Sequence, residues 1–264
     1  NCIIRSGNEP LIVDVDSRTQ CLSLDIIKEN LTDDVGGIVL VHMSGLITPD
    51  IIEIEDFCKD NNLFLLTDDA HAYGSKYYEN NKDHIRPAGS FGNAGVFSFY
   101  PSKIMTTAEG GMITTNDDEL AERCRVVRNH GTRRNDGKHQ GLDYGYTCDM
   151  PSTNYRMSEF HAVLGISQNK CVDDFLFRRN HIADLYTKRI DEIDWLETPY
   201  IDDMIYQSWW QYIVKITDGR DRTRILLKLL DDFNIPTANA YQPLCHQQKI
   251  YEKFLSKNNF DNSE

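Results

Sequence analysis

Short apolar runs of four to six residues alternate along this chain with amphipathic stretches, and few folds accept that pattern. Strands buried under helices read this way, whereas a helical bundle or an all-β sandwich does not. The apolar runs predict strands over 11–15, 37–42, 63–67, 95–99 and 112–115. Between them, Ile51, Ile52, Ile54, Phe57 and Cys58 recur at helical spacing over 51–61, with Asp50 as first-turn or cap carboxylate. The acidic run Asn116-Asp117-Asp118-Glu119 suits the N-terminus of a second helix reaching Arg128. From 158 to 190 the chain lacks proline and carries one glycine, Gly165, so a long helix or a helix pair leads out of this α/β unit. The expected architecture is a mostly parallel sheet with helices on both faces in a large domain, residues 1–175. A small α+β domain follows, residues 176–264, with a strand over 212–216 and a helix over 222–233. The glycine-rich, charged stretch 132–145 shows little periodicity and reads as a mobile loop.

Composition removes several classes of function. A formal charge of -13 opposes contact with phosphate backbones and anionic bilayers, since nucleic-acid binders concentrate Lys and Arg to displace counterions. Neither a nucleic acid nor a membrane is expected as a partner, because no apolar stretch approaches the roughly 20 residues a bilayer requires and no signal sequence opens the chain. The seven cysteines are odd in number, widely spaced and never arranged as a two-residue-gapped pair, which argues against a disulfide framework or a metal site and suits a reducing cytoplasm.

Two strings carry chemistry. The run Leu63-Phe64-Leu65-Leu66 ends in Thr67-Asp68-Asp69-Ala70-His71-Ala72-Tyr73-Gly74, which places two carboxylates and an imidazole where a buried strand gives way to a loop. Lys103 closes the run Ser98-Phe99-Tyr100-Pro101-Ser102-Lys103, just before Ala108-Glu109-Gly110-Gly111, a lysine presented on a loop. One lysine is by default a solvated surface charge, and His71 alone would read as a hydrogen-bonded core histidine. Together, a carboxylate, an imidazole and a framed lysine suggest a pyridoxal phosphate site, because an aldehyde cofactor needs an amine that can hold it reversibly and later move a proton.

These strings resemble the DegT/DnrJ/EryC1/StrS aminotransferases, sugar aminotransferases of fold type I. The resemblance rests on DDAHAYG, SFGNAGVFSFYPSK, EGGMITTNDDELAERCRVVRNHG and STNYRMSEFHAVLGISQ, four separated strings in family order, with LIVDVD and IVLVHMSG ahead of them. It implies pyridoxal 5'-phosphate as cofactor and Lys103 as the lysine that holds it. A histidine there would mark the family's dehydratase branch, so lysine implies transamination. Asp68, three residues before His71, matches the aspartate that keeps the pyridine nitrogen protonated, and His71 matches the residue beside the cofactor ring and its 3'-oxygen. Asp69 falls where many members have a small residue, and a loop or cap hydrogen bond is its expected role. Ser98 matches the serine that contacts the cofactor phosphate. Asn154 matches the asparagine that reaches the neighbouring subunit's cofactor, which implies a homodimer with shared active sites.

The resemblance further implies glutamate as amino donor and a keto group on a nucleotide-linked sugar as acceptor, in polysaccharide biosynthesis. A keto-inositol or related cyclic precursor is an alternative acceptor, and a non-catalytic sugar-binding or sensor relative an alternative from another class. The segment carrying the family's phosphate-binding Gly-Thr pair and its ring-stacking aromatic has no counterpart, and the C-terminal end stops before the usual last strand and helix, so the chain reads as truncated at both ends. Glu109-Gly110-Gly111 is expected to form a tight turn with φ above zero. Asn129-His130-Gly131 reads as a helix stop or a substrate-facing segment. Tyr241-Gln242-Pro243-Leu244 resembles a family segment in which histidine usually stands at the position of Cys245.

Overall fold

A computed structural model describes residues 1–79, 83–134, 146–219, 221–255 and 260. Three parallel strands form the centre of the principal sheet: β1 (Gly37–Val41), β2 (Phe64–Asp68) and β5 (Ala94–Ser98), and β6 (Gly111–Thr114) closes it antiparallel to β5, in the order β1-β2-β5-β6. The expected positions of these four strands hold to within one residue at most ends. Exposure alternates along β1 and β2. Ile38, Leu40, Leu65 and Thr67 are buried, while Val39 and Phe64 are exposed, as the period-two direction of strand side chains requires.

The buried face packs on α3 (Ile51–Asp60), whose Ile51, Ile54 and Cys58 are all but inaccessible. Asp50 does not cap that helix; its Oδ2 accepts the Leu24 N–H (3.0 Å) and so ties α2 (Leu24–Asn30) to it. Glu55, buried on α3, takes a two-pronged contact from Arg86 (2.9 and 3.1 Å) and the Gly92 N–H (2.8 Å), which locks α3 to the loop between β4 (His84–Pro87) and β5. Strand β4 pairs with β3 (Lys76–Glu79), and β3 with β10 (Ile205–Tyr206), so a second small sheet joins the C-terminal part to the region after β2.

Helix α4 (Asp118–Arg128) starts where Asp117 caps two N–H groups and stops at Asn129, with His130 and Gly131 at positive φ. A helix stop is therefore what Asn129-His130-Gly131 forms. A Cβ on Gly131 would stand 1.9 Å from the Met150 carbonyl oxygen. The stretch expected as a loop from 132 instead begins as β7 (Thr132–Arg134), paired with β8 (Tyr146–Cys148); 135–145 lie outside the described residues. Two helices, α5 (Glu159–Asn169) and α6 (Val172–Ile190), fill 158–190, and the expected 175/176 boundary would fall at the end of the first turn of α6.

Beyond α6 lie β9 (Leu196–Glu197), paired with β11 (Lys215–Ile216), and α7 (Arg222–Phe233), which occupies its expected span; a short turn of helix, α1 (Cys2–Arg5), opens the chain. Two expected strands fail. Residues 11–15 form no strand, and 212–216 is reduced to β11 because Tyr212 turns its hydroxyl to Thr187 (2.7 Å) and its ring onto Trp209 and Tyr186.

Candidate active site

Every group of the site sits at the C-terminal edge of the parallel strands or on a segment crossing it, the usual ligand crevice of an open α/β sheet. Asp68 is the last residue of β2, and its Oδ1 accepts the Ala70 N–H (3.1 Å), which turns the chain sharply away from the strand. The turn delivers His71 to a buried position. Its Nδ1 accepts the Ser44 N–H (3.4 Å), so the neutral ring carries its proton on Nε2, facing the Tyr241 hydroxyl at 3.0 Å. Burial first, and the nearby Lys103 charge second, push the His71 imidazole down to about 4, so it is neutral at pH 7.

Lys103 is half-buried, and burial pulls its amine below the usual lysine range while the Asp68 charge opposes that shift. Its Nζ lies 4.2 Å from the centroid of the Trp210 ring, and the same indole stacks on His71 at 3.8 Å with an interplanar angle of 14°. The structure thus brings Asp68, His71 and Lys103 together, the first two from the end of β2 and the turn after it, the third from the loop after β5. Ser98 ends β5 two residues past the Val96 that pairs with Asp68; its Oγ accepts the Tyr100 N–H (3.4 Å), and no described residue takes its proton. Asn154 stands apart. It forms an isolated bridge with Asn129 on an exposed segment, and its Oδ1 accepts the Arg156 N–H (3.0 Å).

The glycine turn behind the lysine differs from expectation. Ala108, not Gly110 or Gly111, has positive φ. The glycines are needed for close approach: a Cβ would stand 2.2 Å from Thr107 Oγ1 at Gly110 and 2.8 Å from the Phe97 carbonyl oxygen at Gly111.

Asp69 is more than a loop carboxylate. Fully buried, it accepts from Thr67 Oγ1 (2.7 Å) and the Gly89 N–H (2.9 Å), and burial pushes its carboxyl up to about 6. The buried His42 faces it, Nε2 to Oδ1 3.7 Å, with Nδ1 accepting the Thr48 N–H (3.1 Å). Burial pushes His42 down to about 3. This pair lies beneath the Asp68 turn and stiffens it.

Trp210 and the strap 207–210 that carries it over the site were not among the expected site residues. Ser208 Oγ donates to the His71 carbonyl (2.9 Å), the Ser208 N–H to Ser75 Oγ (3.0 Å), and the Trp210 N–H to the Ser44 carbonyl (3.1 Å). From α6, Arg179 donates to the Trp209 carbonyl (2.8 Å) and Asn180 to the Gln207 carbonyl (3.0 Å). Asn180 Oδ1 also accepts the Trp209 indole N–H at 3.2 Å. The paired tryptophans were the one available signal, since a buried indole needs a partner for its N–H.

Residues 1–264 match the sequence profile of the DegT/DnrJ/EryC1/StrS aminotransferase family. The chain belongs to that family. It is 33% identical over 260 residues to the spore coat polysaccharide biosynthesis protein SpsC of Bacillus subtilis, covering 96% of this chain and 64% of that protein. It is 30% identical over 257 residues to the GDP-perosamine synthase of Escherichia coli O157:H7, covering 97% and 65%. The chain thus spans somewhat less than two thirds of the length of these relatives. Among solved structures, the aminotransferase from Psychrobacter cryohalolentis superposes with a TM-score of 0.88 at 27% identity, over 99% of this chain and 69% of that one. The α/β fold is that of the fold type I DegT aminotransferases, and the family's cofactor is pyridoxal 5'-phosphate.

The residues present fit that cofactor. An amine with lowered basicity, a carboxylate at a strand end, an imidazole kept neutral and a serine with an uncommitted proton converge on one crevice. That donor set suits an aldehyde, a pyridine nitrogen, a ring oxygen and a phosphate in turn.

Proposed function

We propose that this chain is the catalytic part of a pyridoxal phosphate-dependent aminotransferase that moves an amino group from glutamate to a keto group of a nucleotide-linked sugar. The observation that carries this reading is the half-buried Lys103 amine in one cluster with Asp68 and His71. Similarity to a GDP-perosamine synthase supports the sugar nucleotide as acceptor.

When bound, the cofactor supplies an aldehyde and an electron-withdrawing pyridine ring. Lys103 Nζ would hold that aldehyde, and as a free amine it would take the proton from the carbon that bears the amino group. Asp68 holds a proton at the pyridine nitrogen, where a carboxylate favours the charged form. His71, neutral at pH 7 and with its Nε2 on the Tyr241 hydroxyl, would sit beside the ring oxygen. Ser98 offers its hydroxyl to the phosphate. All seven thiols are unpaired, which fits a cytoplasmic enzyme.

A dimer completes the site in this reading. Helix α5 buries none of its residues, and Phe160, Val163 and Ile166 are 89%, 65% and 61% exposed, a patch of the kind that marks a protein interface. Asn154 lies on the same exposed segment and reaches the partner's cofactor. The division into a large domain, 1–175, and a small domain, 176–264, belongs to this proposal too.

The test is transamination from glutamate to a panel of nucleotide-linked keto sugars and keto-inositols, with Lys103→Ala and Asp68→Asn as controls. The wild-type protein should aminate a nucleotide-linked keto sugar, and either substitution should cut turnover by about a hundredfold or more. Turnover of a keto-inositol alone would move the acceptor class. Cofactor binding with no turnover of any acceptor would leave a non-catalytic sugar-binding relative.

A further inference from the structure

Among the described residues Lys103 makes no ion pair, and the group that meets its ammonium is the indole of Trp210, 4.2 Å from Nζ to the ring centroid. That indole is fixed from several sides. Its Nε1–H donates to the carbonyl of Ser102, the residue just before Lys103, at 2.8 Å. Its backbone N–H is held by the Ser44 carbonyl and its own carbonyl by Arg179 (3.4 Å). Its ring is stacked on His71. A ring pinned to the same loop that presents the lysine cannot drift away from it, so the contact is built into the fold. The face of an indole attracts a cation and not a neutral amine. It therefore favours the protonated form of Lys103, in opposition to burial.

We propose that Trp210 is a positioning residue: it holds the protonated Lys103 side chain against its indole face, and the amine leaves that face once it gives a proton to solvent, free to condense with the cofactor aldehyde with loss of water. The proposal rests on the reading of Lys103 as the cofactor's amine. Its consequence is that Trp210 sets how readily the amine becomes the neutral nucleophile. The other groups that bear on Lys103 are Asp68 from the end of β2, which also favours the charged amine, and the neutral His71 with Tyr241 on its Nε2.

The experiment is acetylation of Lys103 by dilute acetic anhydride across pH, read on the Lys103 peptide by mass spectrometry, in the protein with and without saturating cofactor. Without cofactor, the labelling midpoint of Trp210→Leu should fall about one pH unit below that of the wild type, with Trp210→Phe between them. Coincident midpoints in all three proteins would overturn the proposal. Protection of Lys103 by the cofactor tests the underlying reading separately: protection with coincident midpoints would remove only the platform, and no protection would remove the reading itself. If Trp210→Leu does not fold, tryptophan emission of the wild type is compared with that of Lys103→Met. A pH transition in the wild type at the labelling midpoint, absent from Lys103→Met, supports the platform. Emission without that transition refutes it.

Discussion

The layer formed by α3, β1 and β2 and the helical segment around α5 spend their apolar residues in opposite ways. In the first, Leu40, Ile51, Ile54 and Leu65 are at most 1% exposed, and two buried carboxylates among them are paired: Glu55 with Arg86, Asp69 with Thr67 and Gly89. In the second, α5 buries nothing, and Phe177 on α6 is 76% exposed. Both stretches are apolar in sequence, so the contrast is one of partners. The packed layer is complete within the chain and fixes Asp68 and His71. The helical segment presents a surface that gains stability only when something covers it, which in the proposed dimer is a second copy of the chain.

The strongest way to break this comparison is by mixing chains. Asn154→Ala and Lys103→Ala proteins, each inactive, should recover about a quarter of wild-type activity after subunit exchange, because half the dimers are then mixed and each holds one intact site. Verified mixed dimers without activity would sever Asn154 from the partner's centre. Next in size, Phe160→Asp should weaken self-association by about a hundredfold or more, measured by sedimentation, while leaving the far-ultraviolet dichroism unchanged. An unchanged dissociation constant would place the interface elsewhere. In the packed layer the reverse holds: Arg86→Met should cost about 3 kcal/mol in urea unfolding, since it strands the buried Glu55 carboxylate, with no change in the dissociation constant.

The smallest effect concerns the buried pair beneath the site. His42 and His71 have folded values below the ordinary histidine value, so the unfolded chain binds their protons first and stability rises with pH between about 4 and 6.5. Asp69 works the other way. Its folded value is raised, to about 6, so the folded protein holds that proton longer and stability falls as pH climbs from the ordinary carboxylate value through about 6. Asp69→Asn removes the falling contribution and should steepen the rise of stability with pH in that window by about 1.4 kcal/mol per pH unit. An unchanged slope would mean that Asp69 is ionised throughout. Turnover at neutral pH should suffer far less than in Asp68→Asn.

What the sequence made legible was local. The strands β1, β2, β5 and β6 and the helices α3, α4 and α7 follow from periodicity and charge at helix ends, both readable within a short window. Asp68, His71 and Lys103 were legible through their flanking strings. Long-range partners were not. Residues 11–15 have the composition of a strand but form none, and the chain after them turns on Asp16 Oδ1, which accepts the Arg18 and Thr19 N–H groups. Tyr212 left its expected strand for Thr187 and Trp209. In the pair Asp68-Asp69, burial of the second carboxylate follows from Gly89 and His42, each about twenty or more residues away. Trp210 meets the Lys103 loop through a hydrogen bond spanning 108 residues, a separation no local pattern encodes.

The central claim is that Lys103 holds the cofactor, and trapping it is the most direct test. The protein loaded with pyridoxal 5'-phosphate is reduced with borohydride, digested and analysed by mass spectrometry. The expected result is one cofactor-sized adduct per chain on the peptide containing Lys103, lost in Lys103→Ala. An adduct on another lysine, or none in a protein that retains transamination, would contradict it.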